Sequence, residues 1–308
     1  MEIDKTKPVM VSGATGYVAG WLIKKLLEEG ITVHATVRNP NKKEKLAHLD
    51  EIAAKTSGEI KYFKTDLLDQ GSFAEAMKGC ELVFHTASPF TLNVENPQKD
   101  LINPAVKGTS NVLDEANKVE SVKRVVLTSS CAAIYTDAQD TEEAPGGKIT
   151  EEIWNTTASL DYQPYSYSKT MAEKKAWEIA KEQDRWDLVV INPSFVLGPF
   201  LNPGATTSES FRVMKQIGSG AMKMGIPNLG FGVVDVRDLA IAHYKAGFTP
   251  EAHGRNIISA HNTNLVEMIR PIYEKYKGQI PVKMKATPKW SIWLYGTMID
   301  KELERKCI

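Results

Sequence analysis

A glycine-rich loop stands between an apolar run and an amphipathic stretch near the start of the chain. Residues 8–29 read PVMVSGATGYVAGWLIKKLLEE. Val9–Val11 has the continuous apolar character of a buried parallel strand, and the residues after Gly20 place apolar side chains at helical spacing. A loop that joins a strand to a helix start directs backbone N–H groups and the positive helix end toward an anion. The segment therefore predicts a phosphate-binding strand–loop–helix unit, and the alternative is an ordinary strand–turn–helix.

The glycine spacing departs from the commonest dinucleotide-binding pattern. The loop opens as G-x-x-G instead of G-x-G, and Ala19 takes the place of the third glycine with Gly20 beside it. An alanine there is compatible with helix and strand packing slightly further apart. The segment resembles the TGATGFIG loop of the extended short-chain dehydrogenase/reductase family, which implies a Rossmann-type cofactor fold. By that resemblance the loop residues that contact the cofactor are Gly13, Thr15, Gly16, Tyr17 and Val18.

Charge and cysteine spacing exclude several classes of function. The 308 residues carry 38 basic and 38 acidic side chains, so no global positive field attracts nucleic acid or a membrane. Cys80, Cys131 and Cys307 are far apart and lack CxxC spacing, which argues against a zinc site or disulfide framework and suits a reducing cytosol. The polar start, MEIDKTKP, is unlike a signal peptide, and no run of 18 apolar residues occurs. We expect a cytoplasmic protein with no metal, nucleic-acid or membrane partner.

A basic residue follows the second predicted strand, residues 32–37. Enzymes that prefer NAD carry an acidic residue near this point, roughly 20 residues after the glycines, to bind the ribose hydroxyls. Here Arg38 occupies the position and further lysines follow, so a 2′-phosphate would meet a cationic pocket and NADP(H) is the expected cofactor. Arg38 is the first candidate, Lys45 the second and Lys42 a weaker one. The alternative is a solvated basic loop.

Asp66 follows a third predicted strand, residues 60–65. Ligands of doubly wound sheets bind at the carboxyl ends of strands, which makes Asp66 a binding candidate. The family resemblance implies that this carboxylate contacts the adenine and that the backbone of Leu67 assists. The alternative is a cap for a helix over residues 70–78, a role that suits Asp69 better.

Small residues follow the fourth predicted strand, LVFH, at residues 82–85. Thr86, Ala87 and Ser88 would let a nucleotide lie across the backbone at this strand end. His85 invites a catalytic role, but a single histidine that closes an apolar strand is more often structural, and we favour that interpretation. The string HTASPF resembles the dihydroflavonol-reductase and aldehyde-reductase branch of the family.

The fifth predicted strand, residues 124–128, runs into two serines. A hydroxyl at the carboxyl end of a strand could donate to a substrate oxygen or cap the next segment, and the residues alone do not decide between these roles. The family resemblance aligns the catalytic serine with Ser130, and Ser129 is the neighbour most easily confused with it.

A tyrosine and a lysine lie four residues apart at the start of a strongly helical stretch. If the helix already includes them, Tyr165 and Lys169 share one face, whereas Tyr167 has Met171 at the same spacing. The pKa of a free tyrosine is roughly 10, and a nearby ammonium lowers it. Tyr165 could then act as a general acid toward a carbonyl oxygen, and the alternative is a chance surface pair.

The segment YSYSKTMAEKKAWE resembles the Y-x-x-x-K motif of the same family and the helix that follows it. This resemblance spans most of residues 9–260 and implies an extended short-chain reductase similar to dihydroflavonol, cinnamoyl-CoA and aldehyde reductases. It implies that Ser130 holds the substrate oxygen and that Lys169 also binds the nicotinamide ribose. After a sixth strand, residues 188–191, it places the nicotinamide carboxamide against Pro193, Phe195 and Val196.

The predicted fold is a Rossmann-type doubly wound parallel α/β sheet with a smaller C-terminal substrate-binding region. The NADP-binding domain is expected over residues 1–199, with residues 230–262 returning to it. Residues 200–229 and 263–308 are expected to form the substrate-binding or lid region, in which the patch around Trp290 and Trp293 takes part. Apolar residues that could line a substrate pocket, although a core role suits each better, are Phe90, Phe200, Met214, Met222 and Met224. The chain stops where relatives usually continue, so we expect a shortened form.

The predicted function is reduction of a ketone or aldehyde by NADPH in a monomer or homodimer, with a small, moderately apolar carbonyl compound as substrate. One rival is an NAD-dependent sugar-nucleotide epimerase or dehydratase on the same scaffold, which the missing acidic residue after the second strand disfavours. A second rival is a non-catalytic NADP-sensing regulator, which typically lacks the Tyr–Lys pair that this chain has.

Overall fold

A computed structural model describes residues 1–88, 94–202, 208–220, 223, 225–227 and 229–286. Three of the apolar pocket candidates, Phe90, Met222 and Met224, lie outside the described residues, as does the patch around Trp290 and Trp293. Within the described residues, no helix has both the length and the apolar character that crossing a membrane requires.

Strands and helices alternate along the first part of the described chain, and β6–β7 and β9–β10 follow each other directly. The strands are β1 (Val9–Val11), β2 (Val33–Val37), β3 (Ile60–Lys64), β4 (Leu82–His85), β5 (Arg124–Thr128), β6 (Asp187–Pro193), β7 (Phe195–Leu197), β8 (Gly230–Asp235), β9 (Gly254–Ile258) and β10 (His261–Asn264). The helices are α1 (Tyr17–Glu28), α2 (Ala47–Ala53), α3 (Ala74–Met77), α4 (Asn103–Lys118), α5 (Ala138–Glu143), α6 (Pro164–Lys181), α7 (Glu209–Gly218), α8 (Val236–Phe248) and α9 (Leu265–Lys275). Short helical turns lie at Lys43–Lys45, Gln98–Ile102, Cys131–Ala133 and Pro145–Gly147.

Seven strands form one parallel sheet in the order β3-β2-β1-β4-β5-β6-β9. The order reverses direction at β1, where Val9 lies opposite Val33 on one side and Leu82 on the other. Ligands of doubly wound sheets bind at such a switch point. This confirms the predicted Rossmann-type sheet.

The sheet is buried on both faces because successive strand residues point in opposite directions. Val9 and Val11 belong to a core with the apolar side chains of α1, α2 and α8. Met10, between them, belongs to a second core with side chains of α3, α4 and α6. The continuous apolar character of β1 in the sequence follows directly from this two-sided burial.

The chain leaves the main sheet after β6 and returns to it at β9. In between, β7 and β8 pair with each other and, together with β10, form a second sheet of three strands in the order β10-β8-β7. A third apolar core is built from buried residues on and near α7 and α9, namely Ile217, Ile226, Leu265, Ile269 and Val282.

A buried arginine joins the main sheet to the end of α8. Arg124, in β5, is 0% exposed and pairs with Asp187 of β6 through Nε at 2.8 Å and a second nitrogen at 2.9 Å. Its guanidinium also donates to the carbonyl oxygens of Ala246, Thr249 and Pro250 at 3.1, 2.6 and 3.2 Å. Carbonyls at the end of a helix lack helical partners and carry partial negative charge, so a cation stabilises them.

Candidate active site

The glycine loop forms a cradle between β1 and α1. Gly13 has a φ of +69°, and a Cβ added to it would lie 2.9 Å from the Ala87 Cβ, so this position requires glycine. Gly16 caps α1 without a side-chain hydrogen bond, and the first turn of the helix contains no acidic residue. The first backbone N–H groups of α1, from Tyr17 and Val18 onward, have no partners within the helix. An anion at this end of α1 would satisfy them.

The side chains of the loop face other parts of the protein. Thr15 and Gly16 line a cavity of about 10 Å³ with His48 of α2. Val18 packs against the first apolar core. Tyr17 is buried and donates a 2.8 Å hydrogen bond from its Oη to the Gly198 carbonyl, so its side chain is engaged away from the loop.

Ser12 ties the glycine loop to the segment after β4. Its Oγ accepts a hydrogen bond from the Ala87 N–H at 3.0 Å and lies 2.9 Å from Nδ1 of His85. Thr86 donates from its Oγ1 to the Ser12 carbonyl. Burial and the positive charge of Lys169 lower the pKa of His85 to about 3. His85 is therefore neutral near pH 7 and has a structural partner, which supports its structural interpretation.

The candidates for the adenosine end lie after β2 and β3. Arg38 is exposed directly after β2, and Lys45 is half-buried at the end of the Lys43–Lys45 turn. The Asp66 carboxylate accepts a 2.9 Å hydrogen bond from the Leu68 N–H, which makes a local turn instead of capping a helix. The carbonyl of Leu67 accepts a hydrogen bond from the Asn111 side chain of α4 at 2.7 Å.

The candidates for the nicotinamide end lie along β6 and β7. Pro193 is the buried last residue of β6, and Phe195 and Val196 are half-buried in β7. The Phe195 ring packs against Phe231 of β8, with ring centroids 5.4 Å apart. β6 ends on the side of the main sheet that also carries the glycine loop, because all seven strands of that sheet are parallel. β7 belongs to the three-stranded sheet and begins two residues after β6 ends.

Residues 198–202 lie across the outer face of α1, a contact that the sequence did not predict. The carbonyl of Gly198 accepts from Tyr17, and that of Pro199 accepts from the Trp21 indole at 2.8 Å. The Phe200 ring packs on Tyr17 at 4.6 Å between centroids. The aromatic residues at the start of α1 were the available signal, although their partners lie about 180 residues away.

Tyr165 and Lys169 share one face of the first turns of α6. The Lys169 Nζ lies 5.9 Å from the centre of the Tyr165 ring and donates a 3.1 Å hydrogen bond to the Ser88 hydroxyl. Tyr165 is 41% exposed, so its ring is accessible from solvent. Loss of water around the Lys169 ammonium lowers its pKa to about 8, against the opposing effect of the Glu173 carboxylate. The structure thus brings Tyr165, Lys169 and Ser88 together.

The two serines after β5 have different partners. Ser129 is buried and donates from its Oγ to the Glu173 carboxylate at 2.5 Å. Ser130 is half-buried and its Oγ accepts from the Ala132 N–H at 3.1 Å, which caps the Cys131–Ala133 turn packed against α6. Ser130 therefore fills the capping role and keeps its hydroxyl proton for another acceptor.

Beneath these serines lies a group of polar side chains that the sequence reasoning missed. Glu173 in α6 accepts hydrogen bonds from Ser129, from Asn192 of β6 and from Arg255 of β9. Glu173 follows Lys169 by four residues and Tyr165 by eight, and that helical spacing was the signal in the sequence. Within the described part of the chain, no cluster of three or more histidine, cysteine, aspartate or glutamate side chains is arranged to hold a metal ion.

Comparison with known proteins finds one family model that matches most of the chain. The model of the NAD dependent epimerase/dehydratase family matches residues 9–258. A cinnamoyl-CoA reductase of Medicago truncatula is 41% identical over 282 residues, which cover 89% of this chain and 83% of that protein. A bifunctional dihydroflavonol 4-reductase/flavanone 4-reductase of Malus domestica is 33% identical over 287 residues, which cover 92% of this chain and 80% of that protein.

Solved structures of reductases share the same architecture. The yeast methylglyoxal/isovaleraldehyde reductase Gre2, crystallised with NADPH, superposes with a TM-score of 0.77 at 30% identity. The match covers 94% of this chain and 93% of that one, so it includes both the main sheet and the segments after β6.

Proposed function

Since the chain belongs to the NAD dependent epimerase/dehydratase family, and since its matched relatives are reductases, we propose that it is an oxidoreductase that reduces a ketone or aldehyde to an alcohol with NADPH. The observation that carries this proposal is the shared face of Tyr165 and Lys169 beside Ser88 at the carboxyl end of the main sheet. A hydroxyl donor beside an ammonium that stabilises its anion is suited to protonating a carbonyl oxygen.

The residues around the glycine loop fit a dinucleotide. The left-handed backbone of Gly13 and its close packing against Ala87 give the tight turn that this loop needs before α1. The N–H groups that start α1 would receive the pyrophosphate. Gly13, Thr15, Gly16, Tyr17 and Val18 remain the proposed cofactor contacts of this loop.

The preference for NADPH over NADH is proposed from charge. Arg38 is exposed directly after β2, where a guanidinium would meet the 2′-phosphate, and Lys45 follows on the next turn. Yeast Gre2, which shares this fold, was crystallised with NADPH, and this supports the same cofactor for the present chain. Asp66 and Leu67 are proposed for the adenine and Pro193, Phe195 and Val196 for the nicotinamide.

The proposed chemistry assigns one task to each side chain. Tyr165 donates its phenolic proton to the carbonyl oxygen, and Ser130 donates a hydrogen bond to the same oxygen. Lys169 stabilises the phenolate that Tyr165 leaves behind, because a nearby cation favours the charged form of a phenol. Reduced nicotinamide, when bound, supplies the hydride for the carbonyl carbon.

The substrate region is proposed for residues 200–229 and 263–308, with residues 1–199 and 230–262 forming the cofactor domain. A separate apolar core around Ile217, Leu265 and Ile269 supports this division. Phe200 and Met214 are engaged with neighbours, Phe200 with the rings of Tyr17 and Phe211 and Met214 with the third core. Their contacts favour the packing role expected from the sequence over a role in substrate binding.

The test is oxidation of NADPH, followed by absorbance, against ketones, aldehydes, flavonoids and acyl-CoA thioesters, with NADH in parallel. We expect turnover with NADPH and a much lower kcat/KM with NADH. Binding of NADPH without turnover of any compound would contradict the reductase and favour an NADP-sensing protein. Equal use of NADH would contradict the role of Arg38.

A further inference from the structure

The carboxylate of Glu173 lies deep beneath the proposed catalytic residues. It follows Lys169 by one helical turn in α6, and the residue is 1% exposed. A carboxylate in such a place is expensive to bury unless several donors surround it. The donors that surround the Glu173 carboxylate therefore indicate the role of this side chain.

Three donors on or directly after neighbouring strands converge on this carboxylate, and the Trp177 indole of α6 adds a fourth at 3.4 Å. Ser129, directly after β5, donates to Oε2 at 2.5 Å, and Asn192 of β6 donates to the same oxygen at 2.8 Å. Arg255 of β9 donates from Nε to Oε1 at 2.5 Å and forms an ion pair with it. Glu173 thus connects α6 to three adjacent strands, β5, β6 and β9.

Arg255 extends the same network to the loop that follows Ser130. Its guanidinium donates to the carbonyl oxygens of Glu151 and Ala133 at 2.9 and 3.3 Å, and it lies 3.9 Å from the ring centre of Trp154. Asn192 also donates to the carbonyl of Ser130 at 3.1 Å. The backbone that carries Ser130 and the helix that carries Tyr165 are therefore held by one buried pair of charges.

Glu173 and Lys169 line one cavity of about 20 Å³. The carboxylate acts on the ammonium there and raises the pKa of Lys169, against the larger lowering by loss of water. Among the other titratable groups of the surrounding elements, His85 on β4 has a pKa lowered to about 3 by burial and by the charge of Lys169. Cys131 after β5 has a pKa raised to about 12 by burial. Both are neutral near pH 7.

Tyr165 lies near Lys169 on α6 itself, and Arg255 on β9 contacts Glu173, with Glu151 beyond it. Burial lowers the pKa of His243 on α8 to about 4, so this residue, which bonds Thr128 of the cavity wall, is neutral near pH 7. Arg255 donates to the Oε1 atom of Glu173. The charge that favours the ammonium of Lys169 therefore comes from Glu173, one turn along the same helix.

We propose that Glu173 is a positioning residue for this reaction, which holds the Tyr165–Lys169 face against Ser130 and keeps Lys169 in its ammonium form. The inference rests on the proposed function, and it adds a residue to the three that act on the substrate and cofactor. A structural role alone would require the hydrogen bonds of Glu173 but not its charge.

The substitution E173Q separates these roles, because glutamine keeps the shape and removes the charge. In wild type, we expect kcat/KM for NADPH-dependent reduction to fall as pH rises through the pKa of Lys169. In E173Q this alkaline limb should move to lower pH by about one unit, with kcat falling more than KM rises. The matched control is E178Q, since Glu178 lies in the same helix with its side chain 57% exposed, paired with Lys175. A uniform loss of kcat with the limb unmoved would overturn the proposal.

E173Q leaves Arg255 buried without its anionic partner, which could prevent folding. The double substitution E173Q/R255Q removes both charges and keeps the proposal testable in that event. Its alkaline limb should move in the same direction, because the charge that acts on Lys169 is that of Glu173. An unmoved limb in a folded double variant would equally overturn the proposal.

A measurement without turnover distinguishes failure of this inference from failure of the proposed function. In protein labelled with ¹³C at lysine Cε, the Lys169 resonance is assigned by its absence in K169M and titrated in wild type, E173Q and E178Q. We expect a lower midpoint in E173Q and no change in E178Q. Identical midpoints in wild type and E173Q would overturn the inference even if carbonyl reduction is observed. A lowered midpoint in a protein that reduces no carbonyl would uphold the charge effect and reject the reductase.

Discussion

The ammonium of Lys169 donates a 3.1 Å hydrogen bond to the hydroxyl of Ser88, which joins α6 to the segment after β4. The residue before Ser88 is Ala87, whose Cβ would lie 2.9 Å from any Cβ placed on Gly13. One short segment therefore touches both the glycine loop and the lysine of the Tyr–Lys pair. We therefore expect a substitution in the glycine loop to alter the surroundings of Lys169, and a substitution of Lys169 to alter the glycine loop.

Gly13→Ala is expected to abolish tight NADPH binding, because the new methyl group collides with Ala87 and the backbone has a φ of +69°. Gly79→Ala is the matched control, since Gly79 has a φ of +72° with no atom within 4 Å of an added Cβ. Both variants should lose about 1–2 kcal/mol of stability from the left-handed backbone, and Gly13→Ala should lose more. Urea unfolding and NADPH titration measure the two effects. Unaltered NADPH affinity in Gly13→Ala would contradict the role of the loop.

Tyr165→Phe should lower kcat about 10²- to 10⁴-fold while NADPH still binds, because the phenolic proton is lost and the ring remains. Tyr167→Phe makes the same chemical change two residues away, off the face that Lys169 shares, and should leave kcat within about two-fold of wild type. Steady-state kinetics with the best carbonyl substrate decides this. A Tyr165→Phe variant with wild-type kcat would rule out Tyr165 as the acid.

Lys169→Met should stabilise the folded protein near neutral pH. The pKa of Lys169 is lowered from 10.5 to about 8 in the folded protein, so between these two pH values the unfolded chain binds a proton that the folded one does not. This term makes wild-type stability rise with pH through that window and leaves it without slope below about pH 8. The stability advantage of Lys169→Met should therefore narrow by about 2 kcal/mol as pH rises from 8 to 10.5. This is less than the full pKa shift would give, because Lys169 is only partly buried and water screens its charge.

Unfolding by urea at pH 7, 9 and 10.5 measures that difference, and the subtraction cancels groups common to both proteins. A stability gap that stays constant over this range would show that Lys169 titrates near its ordinary value. The same variant should lack carbonyl reduction, since it removes the cation beside Tyr165.

Arg38→Ala should raise the KM for NADPH about 10- to 100-fold and leave that for NADH nearly unchanged. The expected loss is that of a hydrogen bond to a charged group, about 1.5–3 kcal/mol. Lys43→Ala removes another exposed cation from the neighbouring turn and serves as the control. If both variants affect NADPH equally, the basic loop acts through its general charge and Arg38 has no specific role.

Fully buried strands were the part of the fold that the sequence predicted best. The bounds of β1, β4 and β5 coincide with the predicted ones, because burial on both faces requires continuous apolar runs. The predicted helix over residues 70–78 was wrong in extent, since helical structure covers Ala74–Met77 alone. Gly71 has a φ of +82°, which belongs to a turn and interrupts any helix that starts before it.

Within the candidate site, the sequence predicted contacts between residues that are close in the chain, but it did not predict contacts between distant residues. Tyr165 and Lys169 are one helical turn apart, so their common face follows from spacing alone. Arg255 reaches Glu173 across 82 residues, from a strand with little apolar character that no local pattern marks. The tertiary fold determines such long-range contacts, and no periodic pattern in the sequence predicts them.

The partners of Arg124 leave the ribosome at very different times. Asp187 is made 63 residues after it, and the carbonyls of Thr249 and Pro250 follow 125 and 126 residues after it. A nascent chain that has not reached residue 250 would bury this guanidinium with most of its acceptors still missing, which strongly destabilises the sheet around it. The strand β9 emerges later still, from residue 254. We therefore expect co-translational folding of the main sheet to be completed only after residues 200–250 have been synthesised, although β1–β6 are finished by residue 193.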